Sequence, residues 1–286
     1  MINQNLNIDD LIKKVKDFPT LPTIYNALMD LISNPRTTVN DLSNLISQDQ
    51  SSAAKVLKAV NSPIYGFYGR ITSINQAISF LGFEEIKNLI TALTIIDIFS
   101  KSVSDTLFNP VEFWKHSIAV GIITRLIGHH TNAKNIESYF LSGILHDLGK
   151  LFFFKVIPKQ YSKVIQYSLE NKKYLLDSEM KLLGITHTVI GELIAEKWSL
   201  PKSIKNSIRY HNIGTVNGEI DHLVSSVHIA NIASSMFGLG YRWEHLVPQP
   251  NYIVWKELNL SKDFFKMNIK KILNDYDESI KLLLKN

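Results

Sequence analysis

Not one cysteine occurs among the 286 residues of this chain. That excludes disulfides, iron–sulfur clusters and thiolate-held zinc, so any metal must be held by imidazole, carboxylate or amide groups. No apolar run approaches the roughly 20 residues of a membrane-spanning helix. The opening Met-Ile-Asn-Gln-Asn-Leu-Asn-Ile-Asp-Asp has neither the basic start nor the apolar stretch of a signal peptide. The expectation is a cytoplasmic chain with no membrane partner. Charge of one sign is scarce too, since 31 basic residues are interspersed with 26 acidic ones for a net +5. One of the denser basic patches, Lys266, Lys270 and Lys271, shares its helical-looking stretch with Asp275, Asp277 and Glu278. It reads as solvated surface and argues against nucleic acid as a partner. Alternating strand patterns, low-complexity runs and internal repeats are also missing.

What is present is helical spacing. Residues 8–17 are apolar at 8, 11, 12 and 15, one face of a helix. Phe18-Pro19-Thr20-Leu21-Pro22 breaks it, because proline cannot continue a helix. Similar patterns predict helices over about 23–32, 40–46, 52–60, 73–81 and 84–99, with Gly82 as the stop between the last two. The segment 61–69 reads as a loop, in which Asn61, Pro63 and Gly66 make a turn. A polar stretch near 101–110 is the best boundary. Beyond it helices are predicted at about 111–130, 136–148, 159–171, 177–183, 187–197, 202–211, 221–237, 261–273 and 276–285, with 238–251 irregular. The fold class is all-α, in two helical lobes at 1–108 and 109–286. Phe80, Leu81, Ile86, Leu89, Ile90 and Leu93 form a run more apolar than one small lobe needs, and are expected to pack against the second lobe.

Several polar residues fall on apolar helix faces. His116 shares a face with Phe113, Val120, Ile123 and Ile127. His146 and Asp147 end the helix that bears Phe140, Leu141, Ile144 and Leu145. His187 aligns with Ile190, Gly191, Ile194 and Trp198; His211 follows Ile204 and Ile208. Asn231 follows Val224 and Val227, with His228 a turn before it. One buried imidazole can be satisfied by a backbone carbonyl. For several imidazoles the simplest shared partner is a cation, and helical bundles build metal sites in this way. His129, His130, His222 and His245 lie near helix ends or loops and read as surface or capping residues.

This constellation resembles the HD superfamily of metal-dependent phosphohydrolases. The resemblance makes His116 the first metal ligand, His146 and Asp147 the paired ligands, and His187 and His211 the additional histidines of two-metal members. Asn231 falls where a final Asp is expected. The metal so implied is iron, manganese or zinc. Leu21-Pro22, Leu45-Ile46-Ser47-Gln48-Asp49, Ala54 through Pro63, Ile71 through Ile78 and Leu81-Gly82 look like the HDOD domain in order and spacing, from about residue 15 to about 240. HDOD proteins are bacterial signalling and regulatory modules.

The chain departs from the related HD-GYP cyclic-di-GMP phosphodiesterases. Asn231 replaces a carboxylate, Tyr210 precedes His211 where a histidine pair is expected, and Asn212 through Gly218 contains no Gly-Tyr-Pro. The expected function is therefore a non-catalytic signalling module with a partly retained HD metal site. It would act through a signalling protein partner or a small nucleotide ligand, with Lys150 as a ligand contact. The alternative is a metal-dependent phosphohydrolase acting on a nucleotide or cyclic dinucleotide.

Overall fold

The computed structural model describes residues 8–21, 23–67, 70–100, 108–240 and 246–284. The first five helices are α1 (Ile8–Asp17), α2 (Thr23–Ser33), α3 (Val39–Ser47), α4 (Gln50–Val60) and α5 (Ile74–Ser100). Then come α6 (Pro110–His130), α7 (Glu137–Leu145), α8 (Leu148–Val156), α9 (Pro158–Asn171) and α10 (Leu175–Leu183). The chain continues through α11 (His187–Lys197), α12 (Lys202–Tyr210), α13 (His222–Met236), α14 (Tyr252–Glu257) and α15 (Phe264–Leu283). Among the described residues there is no strand, only an isolated bridge between Val216 and Glu219. The class is all-α.

Local chemistry explains the helix ends. Thr38 and Asp41 form a reciprocal capping box at α3. Asp49, Asn109 and Asp221 accept the first free amides of α4, α6 and α13. Gly82 interrupts α5 with φ of 80°, a left-handed conformation that favours glycine. In the turn after α4, Asn61 Nδ2 donates to Leu57 O and Ile71 O at 2.7 and 2.9 Å, and its Oδ1 accepts from Ile71 N at 2.9 Å. That side chain pins the loop shut.

Three elements differ from the pattern reading. The chain breaks at His146–Asp147 and resumes as α8, which periodicity missed because Leu148–Phe154 is buried on every side. One helix, α15, replaces the two terminal ones, since Ser279 and Lys271 both bond Asp275 across the expected gap. A short α14 forms between the stretch expected to be irregular, 238–251, and the terminal helices, where the pattern reading places no helix.

Two buried clusters form. One holds Leu28, Leu42, Ile46, Val56, Val60, Ile78, Ile86, Leu89, Ile90 and Leu93. The other runs through α6–α13 and also takes in Leu11, Val15, Phe18 and the end of α5. Ile86, Leu89, Ile90 and Leu93 thus serve the first cluster, and Phe80 is exposed against Phe67. The residues of α5 in the second cluster are Ala92, Ile95, Ile96 and Phe99. Phe18 stacks on Phe99 at 5.2 Å between centroids, and Trp198 Nε1 donates to Pro19 O at 2.9 Å. Phe18 and Pro19 therefore clamp the end of α1 to α5 and to Trp198. The stretch 101–107, where the sequence places a boundary, lies outside the described residues, as does His245.

A buried ion pair also joins α5 to α6. Arg125 Nη1 of α6 donates to Glu85 Oε1 of α5 at 2.7 Å, and its guanidinium lies 5.0 Å over the Tyr65 ring. Burial pushes the Glu85 carboxyl up to about 7, against the pull of Arg125. The folded chain therefore holds this proton more tightly than the unfolded one. The contribution is full below the ordinary glutamate range and is lost as pH rises through about 7. Chemical denaturation is expected to show stability falling by on the order of 2 kcal/mol over that window. Glu85→Gln is expected to flatten the fall; an unchanged pH profile in the variant would assign it elsewhere.

Candidate metal centre

Close helix approaches bring the polar residues together. A side chain on Gly143 of α7 would meet the Gly121 backbone of α6 at 2.5 Å. The glycine pair thus lets α7 lie against α6, and His146 follows at the end of α7. Gly149 of α8 abuts His187 O and Gly191 N of α11 in the same way. His116 comes from α6, His187 begins α11, His211 caps α12 and Asn231 lies on α13. All but the half-buried Asn231 are at most 5% exposed.

Asp147 stands at the centre. Its Oδ1 lies 3.5 Å from His187 Nε2 and 3.6 Å from His211 Nε2. Its Oδ2 lies 3.3 Å from His146 Nε2 and accepts from Lys150 Nζ at 2.9 Å. Two triads can each hold a cation, namely His116–His146–Asp147 and Asp147–His187–His211. Four ligands at about 2.1 Å around a tetrahedral ion stand about 3.4 Å apart, close to the observed Asp147–imidazole separations.

The tautomers follow from the hydrogen bonds. His146 Nδ1 donates to Gly143 O at 2.7 Å, and His211 Nδ1 to Ile208 O at 3.0 Å. His187 Nδ1 donates to Glu179 Oε2 at 2.7 Å. Each leaves a bare lone pair on Nε2, directed inwards, as an imidazole ligand requires. His146 Nε2 and Asp147 Oδ1 are buried with no hydrogen-bond partner. Such orphans are costly unless something is meant to meet them. The donor set of imidazole and carboxylate fits a divalent transition metal.

Electrostatics supports an ionised Asp147. Burial acts to raise its carboxyl, but His146, Lys150 and His187 overcome it and hold the group well below the usual carboxylate range. Burial, helped by His146, holds the His211 imidazole well below its usual value. Lys150 is itself buried, so its ammonium faces the centre through Asp147.

Asn231 Oδ1 lies 3.1 Å from His116 Nε2. Ser234 Oγ lies 3.2 Å from His116 Nδ1. Pattern reading missed Glu179, whose two oxygens also accept from His187 N at 2.8 Å and Tyr161 Oη at 2.7 Å. The signal was available: Glu179 lies four residues from both Leu175 and Leu183, on the buried stripe of α10. It also missed Asn212, whose Nδ2 lies 3.0 Å from His211 Nε2. Tyr210 points elsewhere, to Asn217 Oδ1 at 3.2 Å. His228, expected only as a neighbour of Asn231, donates through Nδ1 to His211 O at 2.8 Å and accepts from Asn251 N at 3.1 Å. His129, His130 and His222 are exposed.

The family model for the HDOD domain matches residues 18–213. An uncharacterised protein of Treponema pallidum is 27% identical over 223 residues, which is 77% of this chain and 42% of that protein. This chain thus spans less than half the length of that relative. A solved HDOD domain protein of unknown function from Geobacter sulfurreducens has a TM-score of 0.80 at 24% identity, covering 98% of this chain and all of that one. A solved protein from Shewanella amazonensis, described as a proposed phosphohydrolase, has a TM-score of 0.75 at 22% identity, covering 96% and 97%. At these identities the two structures show a shared fold. No helix among the described residues is long and apolar enough to cross a membrane.

Proposed function

The chain belongs to the HDOD domain family, and on that premise we propose that it is a regulatory module whose HD-type pocket binds a divalent cation without turning over a cyclic dinucleotide. The cation would be iron, manganese or zinc, held by Asp147 with His146, His187 and His211. The module would act in signalling through a protein partner or a small nucleotide ligand.

One observation carries this reading, the charge balance of the pocket. Among the described residues Asp147 is the carboxylate set against the inward Nε2 atoms of the imidazoles, Glu179 being held behind His187 at Nδ1, and Lys150 already pairs with Asp147. The expected second carboxylate is Asn231, a neutral amide engaged with His116. A bound divalent cation would supply Lewis-acid charge for a phosphoryl group. Phosphoryl transfer depends on concentrating and positioning such charge, and this pocket offers little anion to hold it. Glu179 keeps the proton on His187 Nδ1, and the carbonyls of Gly143 and Ile208 do the same for His146 and His211. These bonds fix the rings without a proton to donate at the centre.

Purified protein supplied with manganese or iron is expected to give no turnover of cyclic dinucleotides or nucleotides near the enzymatic range of roughly 1–10³ per second. Turnover in that range would make the pocket a working catalyst and sink the module reading. Asn231→Asp is expected to supply the carboxylate that the His116 side lacks and so to add a second, weaker Zn²⁺ equivalent per chain, with the first equivalent unchanged within about threefold. Calorimetric titration checks it; no second equivalent would mean that position 231 lies outside a cation's reach.

A further inference from the structure

The two triads are not equivalent, because different groups already occupy their donors. In His116–His146–Asp147, Asn231 engages His116 Nε2 and the Lys150 ammonium engages Asp147 Oδ2. A cation entering there must displace an amide and stand beside an ammonium. Each triad keeps one atom without a hydrogen-bond partner, His146 Nε2 in the first and Asp147 Oδ1 in the second, but in Asp147–His187–His211 that carboxylate oxygen is not the one Lys150 engages. The engaging group is one amide, Asn212, whose Nδ2 lies 3.0 Å from His211 Nε2 and 3.5 Å from His187 Nε2.

The ring nitrogens fix which end of that amide faces inwards. His211 Nδ1 meets a carbonyl and His187 Nδ1 a carboxylate, so both donate. Both Nε2 atoms are then acceptors, and only the NH2 end of Asn212 satisfies them. A cation seeks the same two lone pairs. Asn212 is half-buried and sits in the turn after α12, next to exposed Ile213, so its short side chain has room to leave.

We propose that the cation position of this chain is the Asp147–His187–His211 triad, and that Asn212 is its gate. The amide satisfies the two imidazoles when the cation is away and swings outwards when it enters. This rests on the reading that the pocket binds a divalent cation. It reverses the order the sequence implies, in which His116 is the first ligand. The gate also discriminates. Ions that bind imidazole strongly, such as Zn²⁺, displace the amide, whereas Mg²⁺, which prefers oxygen and water, does not.

Calorimetric titration of the full chain with Zn²⁺ tests this, using wild type, Asn212→Ala, His116→Ala and His187→Gln, with melting curves to confirm folding. Asn212→Ala is expected to bind Zn²⁺ about tenfold tighter, the scale of one or two hydrogen bonds no longer broken. His116→Ala is expected to stay within about threefold of wild type, and His187→Gln to lose about 30-fold or more. Co²⁺ gives a second readout. Its visible bands, which report imidazole coordination, are expected at lower Co²⁺ in Asn212→Ala than in wild type. Should Asn212→Ala bind no tighter while wild type binds, the gate is refuted and the metal reading stands. Should His116→Ala abolish binding that His187→Gln retains, the triad is wrong. If neither wild type nor Asn212→Ala binds Zn²⁺, both the inference and the metal reading fail.

Discussion

Glu179→Leu is expected to lower the stability of the chain by about 3–5 kcal/mol, and to weaken cation binding by about 10–100-fold in whatever protein still folds. Glu179 is fully buried and accepts three hydrogen bonds, from His187 N, His187 Nδ1 and Tyr161 Oη. Leucine fills the volume and satisfies none of them. Three donors would be left in a site with no route to water, and each unsatisfied buried donor costs about 1–3 kcal/mol. Glu179→Gln separates the two effects. Its amide oxygen can still accept from His187, and the Tyr161 hydroxyl can rotate to accept from the new NH2. Stability should fall by about 1 kcal/mol at most, while the loss of a full negative charge behind the ring makes His187 a weaker ligand. Denaturant titration measures the first quantity and calorimetry with Zn²⁺ the second. A leucine variant as stable as wild type would remove Glu179 from the frame of the site.

The parts of the fold legible in the sequence are those set by local chemistry. The helix starts near Asn109 and Asp221 match the pattern reading because side chains there accept free amides, α4 starts two residues earlier than expected because Asp49 caps it, and the stop at Gly82 fits its positive φ. Helix α8 was illegible because burial on all sides erases periodicity. The role of Phe80 was misread for a related reason. An apolar run shows that a helix is buried, but not which residues face which cluster, and the kink at Gly82 resets that phase.

The site divides in the same way. Imidazoles on apolar faces are conspicuous because their burial needs a reason, so His116, His146, His187 and His211 could be singled out residue by residue. Asn212 carries no such mark. It lies in a turn, where asparagine is ordinary, and its significance comes only from the 3.0 Å approach to His211 Nε2. Similarly, Tyr210 looked like the broken member of a histidine pair by its place in the string. The chain direction at the end of α12 sends Tyr210 to Asn217 and Asn212 to the imidazoles. Sequence adjacency does not say which neighbour of a helix-capping residue turns inwards.

Gly149→Ala is expected to be among the most disruptive single methyl additions in the chain. The new carbon would stand 1.9 Å from His187 O and 2.9 Å from Gly191 N. Both contacts are with backbone, so no rotamer change can relieve them. α11 would have to retreat from α8 by roughly 1 Å or more, the shortfall from van der Waals contact. The retreat is resisted from behind, because Gly191 itself packs against Ile208 of α12 with space for no further atom. Overpacking commonly costs about 1–3 kcal/mol and more where backbone must move, and a loss of about 3–5 kcal/mol is expected here. The functional cost follows from the same motion. His187 is the first residue of α11, and its ring is placed by a 2.7 Å bond to Glu179 and stands 3.5 Å from Asp147. A shift of roughly 1 Å misplaces that nitrogen for a metal bond that tolerates about 0.2 Å, so Zn²⁺ binding should fall with stability. Gly218→Ala is the control. That glycine has φ of 89° with nothing within 4 Å of a new carbon, so only backbone strain of about 1–2 kcal/mol is expected and cation binding should be kept. If Gly149→Ala melts like Gly218→Ala and still binds Zn²⁺ as wild type does, the α8–α11 approach does not set the position of His187.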